Sequence, residues 1–196
     1  MADGEQRPQC SIRDRQDIIL RQAVPGDARP LNHYIRHTFA TAHHLITRED
    51  EFKMGLLRQR RWIARKKAHP LETCLLAIGD GGIIGMLDSW CDARARVRHV
   101  TSFAMSVAEG HRRRGIGRSL LREFCAWVHN HDTLEKIELH VHSDNTAAIA
   151  LYTDLGFTVE GRRARAVRYE DGREITDHLM ALWPGEDRRW MDLTDI

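Results

Sequence analysis

Apolar and polar positions along the chain fall into runs of two periods, near two residues and near three and a half. Ile18, Ile19 and Leu20 read as a short strand, and Asp27 can cap a helix running from about Ala28 to Phe39. Thr41 to Ile46, with His43 and His44, is a loop. Phe52, Leu56, Leu57, Ile63 and Ala64 recur at helical spacing within the heavily charged stretch from Arg48 to Lys67, which predicts a second amphipathic helix stopped by Pro70. Thr73 to Ile78 and Ile83 to Trp90 read as two strands joined through Gly79-Asp80-Gly81-Gly82 into a hairpin.

Further on, Val97, His99, Thr101, Phe103, Met105 and Val107 alternate with Arg98, Val100, Ser102, Ala104 and Ser106, a strand expected to be buried on both faces near its end. Ile116, Leu120, Leu121, Phe124, Cys125 and Val128 share one face of a helix. Leu134 to His142 alternates as another strand, and Ser143-Asp144-Asn145 supplies cap residues for a helix bearing Ala148, Leu151, Tyr152 and Leu155, closed by Gly156. Thr158 to Glu170 and Glu174 to Trp183 form a last hairpin, with Asp171-Gly172 suited to a type I′ turn. The order of elements implies an α+β sheet sandwiched by helices.

At 196 residues the chain suits one well-filled domain. We place that domain at residues 18–184, with a mobile N-terminal segment over 1–17 that has little to bury and a C-terminal tail over 185–196 that Trp190 could dock. The formal charge is only +2, so no global field favours nucleic acid or an anionic membrane, and any anion site must be local. No apolar run approaches the roughly 18 residues of a spanning helix, and the polar start lacks the apolar stretch of a signal peptide, so a cytoplasmic location is expected. Cys10, Cys74, Cys91 and Cys125 form no C-x-x-C pair and read as reduced thiols; no metal is expected, because His140 and His142 lie along one strand face without further ligands.

The stretch with chemistry in it runs from Val107 through Arg112, Arg113, Arg114, Gly115, Ile116 and Gly117 to Arg118 and Ser119, between a strand and a helix. The first amides of a helix lack internal partners and sit at the positive end of its dipole, so they bind phosphate oxygens. Gly115 and Gly117 leave the approach open, and the arginines add charge. Amide bonds to an ionised acceptor are worth about 1.5–3 kcal/mol each, so several on a pyrophosphate would supply much of a micromolar affinity, about 8 kcal/mol. The bland alternative is a solvated basic helix start.

Here the sequence resembles the GNAT superfamily of N-acetyltransferases, whose pyrophosphate loop reads Gln or Arg, two residues, Gly, one residue, Gly or Ala; Arg112, Gly115 and Gly117 match it. Downstream, Asn145, Ala148, Leu151, Tyr152, Gly156 and Phe157 reproduce the family's Asn-x-x-Ala-x-x-Leu-Tyr-x-x-x-Gly-Phe helix. The likeness extends over roughly Ile18 to Trp183. Glu160-Gly161-Arg162 with Asp177 and Met180 looks like the branch that acetylates free amino acids or related small amines.

The resemblance implies a central, mixed, mostly antiparallel sheet of about seven strands, splayed between the fourth and fifth, with helices on both faces. It implies acetyl-coenzyme A as co-substrate, with Ser106 and the Val107 amide at the acetyl and pantetheine end, the loop from Arg112 to Ser119 on the pyrophosphate, and Asn145 on the cofactor's arm. Tyr152 looks like the general acid that protonates the departing sulfur; by spacing alone it is a buried core residue. The acid would add about 10²–10⁴-fold, because a thiol near pKa 8.5 already leaves tolerably. An α-amine, roughly a quarter neutral at physiological pH, needs little help from a base, whereas a lysine-type amine is neutral in about one part in a thousand. Glu72, Asp88, Asp92, His99, His140, His142, His43 and His44 are candidate bases, none singled out. The reading is direct transfer to a small-molecule amine; the alternatives are transfer to a protein N-terminus or lysine, and a non-catalytic acetyl-coenzyme A module. No nucleic acid or membrane partner is implied, and many relatives pair as homodimers.

Overall fold

A computed structural model describes residues 18–79 and 81–191; the expected mobile segment, 1–17, lies outside them. The elements in chain order are β1 (Ile19–Gln22), α1 (Ala28–Thr41), α2 (Leu56–Ala68), β2 (Cys74–Gly79), β3 (Gly82–Cys91), β4 (Val100–Val107), α3 (Ile116–His129), β5 (Lys136–His142), α4 (Thr146–Asp154), β6 (Thr158–Arg168) and β7 (Glu174–Leu182). The strands make one seven-stranded sheet in the order β1-β2-β3-β4-β5-β7-β6. Only the β4–β5 pair is parallel.

Strand alternation builds two cores. Leu75, Ala77, Leu87, Phe103, Ile137 and Leu139 face α3 and α4 and pack with Leu120, Phe124, Tyr152 and Leu155. Cys74 and Leu76 face the other way, against Leu31, Tyr34 and Ile35 of α1 and Ile63 of α2. β2 is therefore covered on both sides, whereas β6, the edge strand, is mostly exposed.

Four details depart from the sequence expectation. Asp27 makes no cap bond to α1: it holds Arg21 through both carboxylate oxygens at 2.7 Å and accepts from the Val24 amide at 2.8 Å, closing the single 3-10 turn before the helix. The helix expected from Arg48 instead begins at Leu56, behind an extended Gly55, and Glu49–Glu51 is a separate 3-10 turn. Its buried side is Gln59, Ile63 and Lys66, while Leu56 and Leu57 are 44% and 65% exposed, so of the expected apolar stripe Ile63 lies on the buried face and the leucines lie off it. At the last turn only Gly172 takes positive φ, +83°, with its amide on the Tyr169 carbonyl at 3.0 Å, so the hairpin closes by a type I turn with a left-handed glycine and not by type I′.

The segment after β7 folds back under α3. Trp190 is 5% exposed, bonds the Pro184 carbonyl through Nε1 at 3.3 Å and sits beside His129. Truncating a buried tryptophan costs about 3–5 kcal/mol. We expect Trp190→Ala to lower the melting temperature by roughly 6–20 °C for a domain of this size, read by calorimetry; an unchanged melting temperature would show that the docked segment adds nothing to the core.

Candidate active site

The sheet opens at its centre. β4 and β5 pair only at Val100–Lys136, Thr101–Ile137 and Ser102–Glu138. Beyond Ser102, β4 continues to Val107 paired with β3 alone, and one row of its backbone groups has no strand opposite. The expectation that β4 is buried on both faces near its end therefore fails: Ala104 is exposed, and Met105, Ser106 and Val107 are half-buried, because the neighbour that would cover them has turned away.

α3 begins at the mouth of this gap. It is drawn against β3 at Gly85, where an added Cβ would lie 3.0 Å from Ile116 and 3.1 Å from Leu120. The chain reaches it through an extended Arg112, then Arg113 at φ +60° and Gly115 at φ +80°. Residues of alternating φ sign turn successive amides toward one concave point, an anion-binding nest. The first internal bond of the helix runs from the Ser119 amide to the Gly115 carbonyl at 2.9 Å. The amides from Arg113 to Arg118 find no acceptor among the described residues. The ends of the expected run are used internally: the Arg112 amide is held by the Glu109 carbonyl at 3.3 Å, and the Ser119 amide as above. Those two residues can contribute only their side chains. Arg112 Nε bonds the Val107 carbonyl at 3.2 Å and Arg118 pairs with Asp154 at 2.9 Å, while Arg113 and Arg114 hold no ion pair with a described residue. Uncommitted amides, a 14-residue helix dipole and two unpaired guanidinium groups can hold two adjoining phosphates.

Gly117 faces Leu151, Met105 and Val107 at 3.5–3.7 Å from a built Cβ, so a methyl group fits and a larger side chain would fill the corner between β4, α3 and α4. Tyr152 lies on the same side. It is 8% exposed, its ring 5.9 Å from Phe103 and 5.7 Å from Phe157, and its hydroxyl makes no hydrogen bond to a described residue. Burial pushes its phenol up to about 12, so it is a proton or hydrogen-bond donor throughout the physiological range. Asn145 caps α4, its Oδ1 accepting from the Ala148 amide at 3.3 Å. Ser106 points to the opposite face and shares a hydrogen bond of 3.0 Å with Tyr34.

That opposite face holds groups that sequence reasoning missed. Lys66 is 3% exposed and its ammonium meets Glu72 at 3.1 Å, Asp88 at 2.8 Å and the Ser89 carbonyl. Glu72 is buried, which pulls its carboxyl up, but Lys66 and Arg65 hold it below its ordinary range. Asp92 is exposed on Arg94. His140 turns to Asp177, which also takes Arg163. His142 is joined by residues distant in sequence: Tyr169 donates to Asp144 at 3.2 Å, and its oxygen lies 2.9 Å from His142 Nδ1 and 3.1 Å from His44 Nδ1. His44, His142 and Asp144 bring ligand atoms within 4.8 Å of one another, so His142 does acquire further candidate ligands, and these residues would hold a metal if one bound. No spacing rule links His44 to Tyr169; only the helical register of Ile63 with Gln59 and Lys66 could have exposed the buried lysine.

Residues 35–157 match the model of the acetyltransferase (GNAT) family. The chain belongs to that family. It is an acyltransferase. The L-amino acid N-acetyltransferase AaaT of Escherichia coli K12 is 34% identical over 120 residues, 61% of this chain and 74% of that protein. A GNAT acetyltransferase from Streptococcus pneumoniae superposes with a TM-score of 0.83 at 26% identity, covering 85% of this chain and 99% of that one. YncA from Salmonella typhimurium, solved with its cofactor acetyl-CoA, superposes at 0.75 with 18% identity, covering 87% and 95%. The splayed, mixed sheet with helices on both faces agrees with the sequence expectation.

Gly117→Leu should weaken acetyl-coenzyme A binding by at least about 100-fold, the loss of roughly two charge-assisted amide bonds, with the melting temperature of the free protein little changed. Titration calorimetry reads the first and differential scanning calorimetry the second; wild-type affinity in the variant would remove the phosphate corner.

Proposed function

We propose that this chain transfers the acetyl group of acetyl-coenzyme A to the primary amine of a small molecule, an amino acid or related amine, by direct attack without a covalent enzyme intermediate. The observation that carries the reading is the run of amides from Arg113 to Arg118 without acceptors, set at the end of the gap between β4 and β5. A diphosphate held there directs the rest of the cofactor along the uncovered edge of β4, where its amide groups can pair with strand backbone between Phe103 and Val107. The Val107 amide and Ser106 stand where the pantetheine arm leaves the diphosphate, the acetyl group lies further along β4 toward Phe103, and Asn145 stands beside the arm. AaaT, named for the acetylation of L-amino acids, supports the choice of acceptor. The residues present thus fit the co-substrate: the corner at Gly117 is open, and the unpaired cations lie at the diphosphate end.

Tyr152 has a defined part in this reading. Its phenol, near 12, is a weaker acid than a thiol near 8.5. Full proton transfer to a free thiolate is uphill by about 3–4 pKa units, roughly 5 kcal/mol. The hydroxyl therefore acts chiefly by donating a hydrogen bond to the sulfur as negative charge grows on it, in a site dry enough to make that bond strong. Among the described residues no helix is long and apolar enough to cross a membrane. With Cys74, Cys91 and Cys125 all free, a reducing cytoplasm suits the protein.

A thiol-release assay with amino acids, polyamines, aminoglycosides and peptides as acceptors tests the reaction; turnover of peptides alone would overturn the small-molecule choice. Tyr152→Phe should lower kcat about 10–1,000-fold while the affinity for acetyl-coenzyme A stays within about threefold. Equal kcat in the two proteins would take the hydroxyl out of the chemistry.

A further inference from the structure

On the α1 and α2 side of the sheet a cavity of about 260 Å³ opens against Ala104, Met105 and Ser106, the part of β4 that β5 has left. Ile35, Phe39, Phe52, Trp62 and Met86 give it apolar walls, and Asp88 is the one charged residue among the described residues lining it. Asp88 stands directly across β3–β4 from Ala104, whose methyl group leaves the way to the gap clear. Its Oδ1 lies 2.8 Å from Lys66 Nζ but off the line of a hydrogen bond, and its Oδ2 makes no hydrogen bond to any described residue. Lys66 is divided between Asp88, Glu72 and the Ser89 carbonyl, so it compensates Asp88 only in part.

We propose that this cavity is the acceptor site, that it takes a primary amine carried on an apolar body of side-chain size, and that Asp88 receives the ammonium and removes its proton. The inference rests on the acetyl-transfer reading above and adds the acceptor class and the base. The volume equals that of about eight or nine liquid waters, enough for one apolar side chain and its amine. Two strand spacings, about 10 Å, separate β3 from the lane β5 vacates, a span that the bound amine and one water close.

The charges around Asp88 suit the task. Burial raises its carboxyl to about 6; Lys66 and Arg65 of α2 pull against this, and Glu72 adds to it. The Cys74 thiol across β2–β3 is pushed up by burial and stays neutral, as does the Tyr34 hydroxyl on Ser106. Above that value Asp88 is a carboxylate. It is then a stronger base toward the acceptor's ammonium, by about two pKa units, than an ordinary carboxylate near 4. The nitrogen lone pair so freed forms the C–N bond. The C–S bond breaks with its electron pair going to sulfur, the second nitrogen proton passes to that sulfur to give the free thiol, and the proton on Asp88 returns to solvent.

Thiol release from acetyl-coenzyme A is measured between pH 5 and 9 with phenylalanine, methionine, phenethylamine, glycine and aspartate as probes, alongside calorimetric binding of acetyl-coenzyme A. In the wild-type protein the three apolar-bodied amines should exceed glycine and aspartate by at least about tenfold in kcat/KM. Phenethylamine should stay within about tenfold of phenylalanine, since no cation among the described residues lines the cavity to hold a carboxylate. Activity should fall as pH drops through about 6, the value for Asp88. Asp88→Asn should lose about 10²–10⁴-fold in kcat and with it that acidic limb, Asp88→Glu should regain part of both, and acetyl-coenzyme A should bind each variant as it binds the wild type. Met86→Trp, which fills the cavity without touching Lys66, should raise KM for phenylalanine at least about tenfold. Preference for glycine or aspartate overturns the acceptor class. An unaltered rate and pH profile in Asp88→Asn overturns the base, as does an unaltered KM in Met86→Trp the cavity. Failure of the wild type to bind acetyl-coenzyme A brings down the underlying reading first.

Discussion

Three residue pairs hold β4 to β5, and everything that makes this sheet a site follows from where that ladder stops. A strand in the middle of a sheet ordinarily satisfies its amides and carbonyls on both sides, and a buried group left unpaired costs about 1–3 kcal/mol. β4 avoids that cost because its last residues are half-buried or exposed and water can reach them. The free protein is thus stable with its centre open, and an extended ligand arm can exchange water for strand pairing along an edge that is already straight. The same opening brings the start of α3 to the end of the lane, since α3 is pinned on Gly85 of the neighbouring strand.

The alternation of side chains along β4 divides the chemistry between the two faces. Phe103, Met105 and Val107 point toward α3 and α4, where Tyr152 and Gly117 stand; this is the side proposed for the phosphates and the leaving sulfur. Ala104 and Ser106 point toward α1 and α2, where Tyr34, Asp88 and Lys66 gather. A one-residue slip in the β3–β4 register would exchange the two sets. Under the proposed reaction the small side chains on this face matter as much as the aromatic ones on the other, because bulk at Ala104 would close the path between the cavity and the lane.

Where burial and hydrophobicity coincide, the sequence was a good guide. α3 shows this best: its apolar stripe is its buried face, and the basic turn before it has the nest that its glycines suggest, although the free amides are two fewer than the motif alone implies because the loop uses those of Arg112 and Ser119. α2 shows the opposite. Its inner face carries Gln59 and Lys66, which no hydrophobic pattern can reveal, and its leucines point to solvent. The pairing of Lys66 with Glu72 and Asp88 exists only once three elements are assembled. β4 misled for a related reason: its alternating sequence is that of a covered strand, and only the early departure of β5 uncovers it.

The Tyr169 hub extends this logic to a neighbouring cleft lined by His44, Asp144 and Tyr169. A phenol has one proton and two lone pairs. With that proton on Asp144, the oxygen must accept from Nδ1–H of both His142 and His44, which leaves each Nε2 as a free acceptor. Burial holds His142 below its ordinary value and favours the neutral ring this pattern requires. The bonds are local, yet they join the loop after α1, the end of β5 and the β6–β7 hairpin, three segments that share little sequence and no common core. Protonating His142 would leave His142 Nδ1–H on the tyrosine intact, but it would place a cation against the neighbouring His44 ring, 6.2 Å away.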